Sequence, residues 1–203
     1  DIILIINQTT IMKRVLFSMV LLMAVSFAFA QEKNVKEAKS IAGEVKPDFA
    51  KAEQLINEAL TNPETKDNAA TWDVAGYIQK RINEKEMENA YLRKPYDTLK
   101  VYNSVLNMYN YYVKCDELAQ IPNEKGKIKN KYRSANSKTI LAERPNLING
   151  GIQYFNLNKN EDALKYFAAY VDAATLPMME KENLLEKDLS LIHISEPTRQ
   201  EAI

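Results

Sequence analysis

The sequence predicts an all-α protein made of antiparallel helix hairpins stacked side by side. Three observations carry that expectation. From Asn34 onward apolar residues recur at intervals of three and four rather than two, the period of an amphipathic helix. Only five glycines occur in 203 residues, and Lys, Glu, Asn, Ala, Leu and Tyr are common, a mixture that favours helices over strands. Pro, Asn and Asp interrupt the periodic segments at short connections, which turn each helix back beside the one before it.

The elements follow in order. Pro47-Asp48 ends a first helix and offers Asp48 as the cap of the second. That second helix presents Phe49, Ala52, Leu55, Ile56, Ala59 and Leu60 on one face, and Asn62-Pro63 stops it. Asp67 or Asn68 caps a long helix through Trp72, Ala75, Gly76, Ile78, Gln79 and Ile82, which runs toward Arg93 and is closed by Pro95. Residues 96–118 form another long helix, ending before Pro122. Residues 127–143 are expected to be helical, with a break or kink at Pro145. Segments 147–157 and 161–174 make a hairpin across Asn158-Lys159-Asn160, and Pro177 opens a further helix.

The helix at 96–118 carries the most information. Val101, Val105, Met108, Tyr112 and Cys115 form one apolar stripe, and Leu99, Tyr102, Leu106, Tyr109 and Val113 form a second. A helix apolar over most of its circumference is packed on two sides. Asn103, Asn107, Asn110 and Lys114 make the polar row between the stripes. Such a row is either a solvated face or the floor of a groove, where Asn amides can donate to and accept from an extended peptide backbone.

Leu147, Gly150-Gly151, Tyr154, Ala163 and Phe167 fall at the spacing of the tetratricopeptide repeat, which this segment resembles. Small residues at Gly151 and Ala163 would let two helices approach, with Tyr154 and Phe167 filling the space beside them. Trp72, Ala75 and Gly76 begin a second such repeat. Its later slots, Thr98, Tyr102 and Val105, come about ten residues late, so both helices of that hairpin should be extended. Ala52, Ile56, Ala59 and Pro63 fit the back half of a first repeat. The resemblance spans most of residues 35–176 and is nearest to small exported tetratricopeptide proteins of Gram-negative gut bacteria. It implies a short right-handed superhelix that binds a protein or peptide and needs no cofactor.

The two ends read differently from the repeat region at 31–188. Met12, then Lys13-Arg14, an apolar run and Ala28-Phe29-Ala30 have the order of a secretory signal peptide at 12–30, with cleavage expected after Ala30. The apolar run is shorter than the roughly 20 residues of a membrane span, so a periplasmic or otherwise exported protein without an integral span is expected. Residues 1–11 precede the start Met and read as upstream translation. Segment 189–203 resembles the in-frame translation of a transposase mosaic end and sequencing adapter. The segment shows no helical period and contains Pro197, and the repeat array is expected to be cut off inside an unfinished helix that exposes an apolar face. His193, the lone histidine, falls within that segment.

These assignments bound the chemistry. Setting aside Lys13, Arg14 and Arg199 with Asp1, Glu196 and Glu201 takes three from each total of 27 and leaves 24 charges of each sign. Neutrality argues against general nucleic-acid binding, which needs phosphate-neutralising cations. No histidine remains to activate Cys115 or a serine, no Cys/His metal constellation occurs, and no Gly-rich phosphate loop is present. Glu84, Glu86 and Glu88 are spaced by two and do not converge as a catalytic pair would. On a helix the run Lys125, Lys127, Lys129, Lys131, Arg133 would spread around the cylinder. The expected function is an interaction scaffold without catalysis, metal or cofactor. The alternatives are the non-catalytic arm of a larger exported enzyme and a glycan- or lipid-binding envelope protein.

Overall fold

The computed structural model describes residues 32–122 and 125–195, with backbone alone from residue 190. The expected signal peptide at 12–30, its cleavage site, residues 1–11 and residues 196–203 lie outside the described residues. All regular structure among the described residues is helical. In order it comprises α1 (32–43), α2 (Phe49–Thr61), α3 (Ala69–Tyr91), α4 (Thr98–Ala119), α5 (Arg133–Asn156), α6 (Asn160–Ala173), a 3₁₀ segment (Pro177–Glu182) and α7 (Leu184–Ser195).

The helix starts are set by short acidic and amide side chains that take up otherwise unbonded amides. Asp48 accepts from the Lys51 amide at 3.0 Å, and Asp97 from the Lys100 amide at 3.0 Å. Of the two candidates for α3, Asn68 is the cap, accepting from the Ala70 amide at 3.0 Å. The turn before α3 is closed by the Thr65 hydroxyl on the Ala59 carbonyl at 2.6 Å and the Trp72 indole N–H on the Lys66 carbonyl at 2.6 Å.

Cross-contacts give the hairpins their direction. Gly76 faces Tyr112, the Asn107 amide donates to Gln79, and the Asn83 amide donates to the Val101 carbonyl. The numbers rise on α3 as they fall on α4, so the pair is antiparallel. Arg144 against Tyr170 and Gly150 against Tyr166 show the same sense for α5 and α6. The first helices of successive pairs are also linked. Arg81 on α3 donates to the Ala42 carbonyl of α1 at 3.2 Å, and Asn136 on α5 donates to Asp73 of α3 at 3.2 Å.

The expected two-sided burial of α4 is observed. Val101, Val105, Met108, Tyr112 and Cys115 are all buried, and Leu99, Tyr102, Leu106 and Val113 are half-buried. Its Tyr111 packs on the apolar cluster of α1–α3, while Val105, Met108, Tyr109 and Tyr112 belong to the cluster built with α5–α7. The α3–α4 hairpin is extended as its spacing predicts, with helices of 23 and 22 residues.

Three expectations are corrected. Of the break or kink expected at Pro145, the break does not occur, because α5 runs from Arg133 through Asn156. Pro145 is exposed, whereas Arg144 and Leu147 beside it are buried, so packing holds the helix across the missing hydrogen bond. The lysine run is not on a helix. Residues 127–130 have no regular structure, and α5 begins only after Asn130 accepts from the Tyr132 and Arg133 amides at 3.1 and 3.0 Å. Finally, the backbone from Leu189 to Ser195 is helical although this stretch shows no helical period. Its Leu- and Ile-rich stretch lacks Gly, and Pro197 restricts only the residue before it. Within α7, Leu184 is buried while Leu185 and Leu189 are exposed, the uncovered apolar face expected of this helix.

Glycine notches set the spacing of both long hairpins. A Cβ at Gly76 would sit 2.3 Å from the Tyr112 ring, and one at Gly151 2.5 Å from the Phe167 ring. At Gly150 it would lie 2.5 Å from the Tyr166 ring and 3.1 Å from Tyr102 Cβ. Tyr166 is 1% exposed and cannot swing away. Gly150→Ala should therefore destabilise the protein by about 1–3 kcal/mol despite the better helix propensity of Ala. Gly43→Ala meets only the movable Tyr77 hydroxyl at 3.3 Å and should be neutral or slightly stabilising. Urea denaturation midpoints of the two variants check the pair.

Candidate functional site

Two surfaces emerge. The first is the polar row of α4, whose Asn103, Asn107, Asn110 and Lys114 are all exposed. The row is not uniform. Asn103 Oδ1 accepts from both the Tyr154 hydroxyl at 2.6 Å and the Tyr166 hydroxyl at 2.7 Å, and the two rings stack with centroids 5.3 Å apart. Asn103 thus ties α4 to both helices of the last hairpin. Asn107 donates to Gln79 at 3.5 Å, and Gln79 donates to Glu53 at 2.8 Å, so this side reaches α2 through α3. Lys114 pairs with Glu117 at 2.9 Å.

The second surface lies where α7 meets α5 and α6. Arg144 is only 5% exposed, and an unpaired charge there would be costly. Its guanidinium meets the Asp188 carboxylate with two nitrogens, one at 3.0 Å, and donates to the Tyr170 carbonyl at 3.1 and 3.2 Å. The Tyr170 ring lies 3.7 Å from its central carbon, and the Tyr170 hydroxyl donates to Asp188 at 3.2 Å. This network fastens α7 beside a cleft of about 450 Å³ lined by Leu141, Pro145, Ile148, Tyr170 and Leu184. Sequence reasoning missed Arg144. The available signal was a cation three residues from both Leu141 and Leu147, on the turn of an otherwise apolar helix face.

The repeat-signature residues are brought together as pairs. Gly76 receives Tyr112, Gly151 receives Phe167, and Leu147, Tyr154 and Ala163 are buried in one cluster. Trp72 is half-buried, 5.9 Å from Tyr111 between ring centroids. Phe167 fills the space beside Gly151, and the ring stacked on Tyr154 is Tyr166, one position before it.

Reactive groups on these helices are occupied or insulated. Burial pushes the Cys115 thiol up to about 12, aided by the carboxylates of Asp73 and Asp116. Asp116 accepts from Asn130 at 2.6 Å and from Arg133 at 2.7 and 2.8 Å, which anchors the lysine-bearing loop to α4. Glu84 pairs with Lys80 and Arg81, Glu88 with Lys85, and Glu86 with Lys100. Among the described residues no group of three or more His, Cys, Asp or Glu is placed to hold a metal ion, and no helix is long and apolar enough to cross a membrane.

No family model, curated protein or solved structure matches this chain.

Two predictions follow from these contacts. Asn103→Ala removes the shared acceptor of two tyrosine hydroxyls and should cost about 1–3 kcal/mol, whereas Asn110→Ala should stay within about 0.5 kcal/mol of the parent. Thermal unfolding of both variants decides this. Hydrogen bonding from Arg144 holds the Asp188 carboxyl below the usual aspartate range. A depressed carboxylate contributes stability above its unfolded pKa and loses it as pH falls through the folded value. Protection of the α7 amides, taken as exchange relative to the intrinsic rate at each pH, should therefore fall as pH drops below the ordinary aspartate range. In Asp188→Ala exchange should be fast at neutral pH, with about 3 kcal/mol lost from the buried charge left behind. Protection of α7 that is insensitive to both changes would refute the lock.

Proposed function

We propose that this chain is an exported helical-repeat scaffold that holds a protein or peptide partner in the cell envelope and performs no catalysis itself. The observation that carries this reading is the distribution of exposed apolar side chains. Of fourteen large apolar residues exposed among the described residues, seven lie between Ile152 and Leu189, on the last hairpin and α7. Exposed apolar side chains mark an interaction site where they adjoin one another, as Ile152 and Phe155 do three apart on α5 and Leu185 and Leu189 four apart on α7. Stacked hairpins suit the role, because each adds surface without requiring a closed core. Export is supported by the order of charged, apolar and small residues over 12–30.

The test is in-cell photo-crosslinking with the full chain, placing the crosslinker at Ile152, at Asn110 and, as a control, at the isolated exposed Val45. Discrete adducts at Ile152 or Asn110 but not Val45, on protein recovered from the envelope fraction with Gln31 as its first residue, are expected. Adducts absent from both surfaces, or protein retained in the cytoplasm with its leader intact, would sink the reading.

A further inference from the structure

The α3–α4 hairpin ends in a turn that stands clear of the helix before it. Lys39 lies over the Tyr77 ring and the Ala42 carbonyl accepts from Arg81, so α1 runs alongside α3 in the same direction and ends near Arg81. From Arg81 to its end at Tyr91, α3 runs on for about 15 Å. The turn itself reads Tyr-Leu-Arg-Lys-Pro-Tyr-Asp over residues 91–97, and every one of these residues is exposed. Tyr91 is 88% exposed, and Leu92 and Tyr96 are 47% and 49% exposed.

The backbone of the turn sets one side chain apart. The Arg93 amide donates to the Ala90 carbonyl at 3.0 Å and the Lys94 amide to the Asn89 carbonyl at 2.8 Å, the pair of bonds that closes a helix through a left-handed residue. That residue is Arg93, with φ 56°. Glycine or asparagine suits the position. The other non-glycine residues with positive φ among those described, Asn158 and Asn183, follow the preference, and Arg93 does not. An arginine kept where glycine fits better calls for a role of its side chain outside the fold. The acids around the turn are engaged. Glu86 meets Lys100 at 3.2 Å and accepts from the Asp97 amide at 3.1 Å, and Asp97 caps α4 through the Lys100 amide. Glu88 meets Lys85 at 2.9 Å, with Lys94 adding a further attraction.

We propose that this turn docks on the surface of an anionic phospholipid bilayer, with Tyr91, Leu92 and Tyr96 entering the headgroup region and Arg93 and Lys94 meeting lipid phosphates. Docking of this kind is independent of any partner the scaffold holds and would station it at a membrane. A small-molecule site needs concave walls, and a run exposed at every position supplies none. A protein surface would need a pocket shaped to the turn, whereas a bilayer interface needs no matching shape. Tyrosine rings settle at headgroup level, apolar side chains enter beside them, and cations on long stems stay with the phosphates.

The protein tested begins at Gln31, so that the apolar run at 15–29 does not itself bind lipid, and residues 32–195 hold every helix described above. Sedimentation with vesicles reads the bound fraction. Vesicles of phosphatidylglycerol and phosphatidylcholine in equal parts should bind at least about tenfold more tightly than phosphatidylcholine alone, since each cation near an anionic surface adds about fivefold. Added salt should weaken the binding. Arg93→Gly with Lys94→Gln should reduce it at least about tenfold. Arg93→Gly alone should leave the thermal midpoint unchanged or raised, because glycine suits the left-handed position. Tyr91→Ser with Tyr96→Ser should weaken binding with circular dichroism unchanged, because both rings are exposed. Replacing Lys125, Lys127, Lys129 and Lys131 by Gln is the control. That loop follows the far end of α4, more than a Debye length of about 10 Å from the turn, so binding should stay within about twofold. No binding, equal binding to both vesicles, indifference to the turn substitutions, or loss in the lysine variant alone would overturn the proposal. So would a lowered midpoint in Arg93→Gly, which would give the arginine a role in the fold. A crosslinker at Tyr91 that captures a discrete protein in cells, while vesicles fail to bind, would assign the turn to a protein partner instead.

Discussion

Close approach of helices at glycine notches is the constraint on which the rest of this structure depends. Gly76 admits the ring of Tyr112, Gly150 that of Tyr166, and Gly151 that of Phe167. An aromatic ring pressed onto bare backbone buries a large apolar area at a separation that a side chain on the facing helix would forbid. Each notch fixes both the distance and the axial register of its hairpin. Once Tyr112 is seated at Gly76, the pairs Gln79 with Asn107 and Asn83 with Val101 follow from antiparallel geometry. Once Tyr166 is seated at Gly150, its hydroxyl reaches Asn103 together with that of Tyr154.

α4 turns two local hairpins into one body. Residues of both its apolar stripes enter the cluster shared with α5–α7, its Tyr111 packs on the cluster of α1–α3, and the narrow remainder of its surface is polar. That remainder is partly structural. Asn103 reaches toward α5 and α6, and Asn107 reaches back toward α2 through Gln79. Directional hydrogen bonds at the edge of non-directional apolar contacts select one relative placement of the hairpins, which burial alone would leave loose. The same division holds at α7, where Leu184 supplies burial and the Arg144–Asp188–Tyr170 network supplies direction.

Much of the fold was legible in the chain. Periodicity located the helices, and Asp48, Asn68 and Asp97 marked starts by chemistry that is local. The buried stripe of α4 could be read because a helix wheel needs only sequence. Reading failed where distant groups override local preference. Pro145 signals a break, yet α5 continues because Arg144 and Leu147 are held by α6 and α7. The lysine run counts as helical by composition, yet it is a loop because Asp116, on the preceding helix, captures Asn130 and Arg133.

The sequence by itself determined the all-α class of this protein and its helix faces, but not which ring meets each small residue across a hairpin. These are properties of neighbours within a few turns, where spacing and side-chain type suffice. Only the tertiary structure decided which members of the polar row are tied down and that a buried arginine anchors the last helix. Those outcomes depend on which residues from remote segments arrive at the same place. Arg144 and Asp188 are separated by 44 positions, and Asn103 and Tyr166 by 63, so no periodicity along the chain announces that they meet.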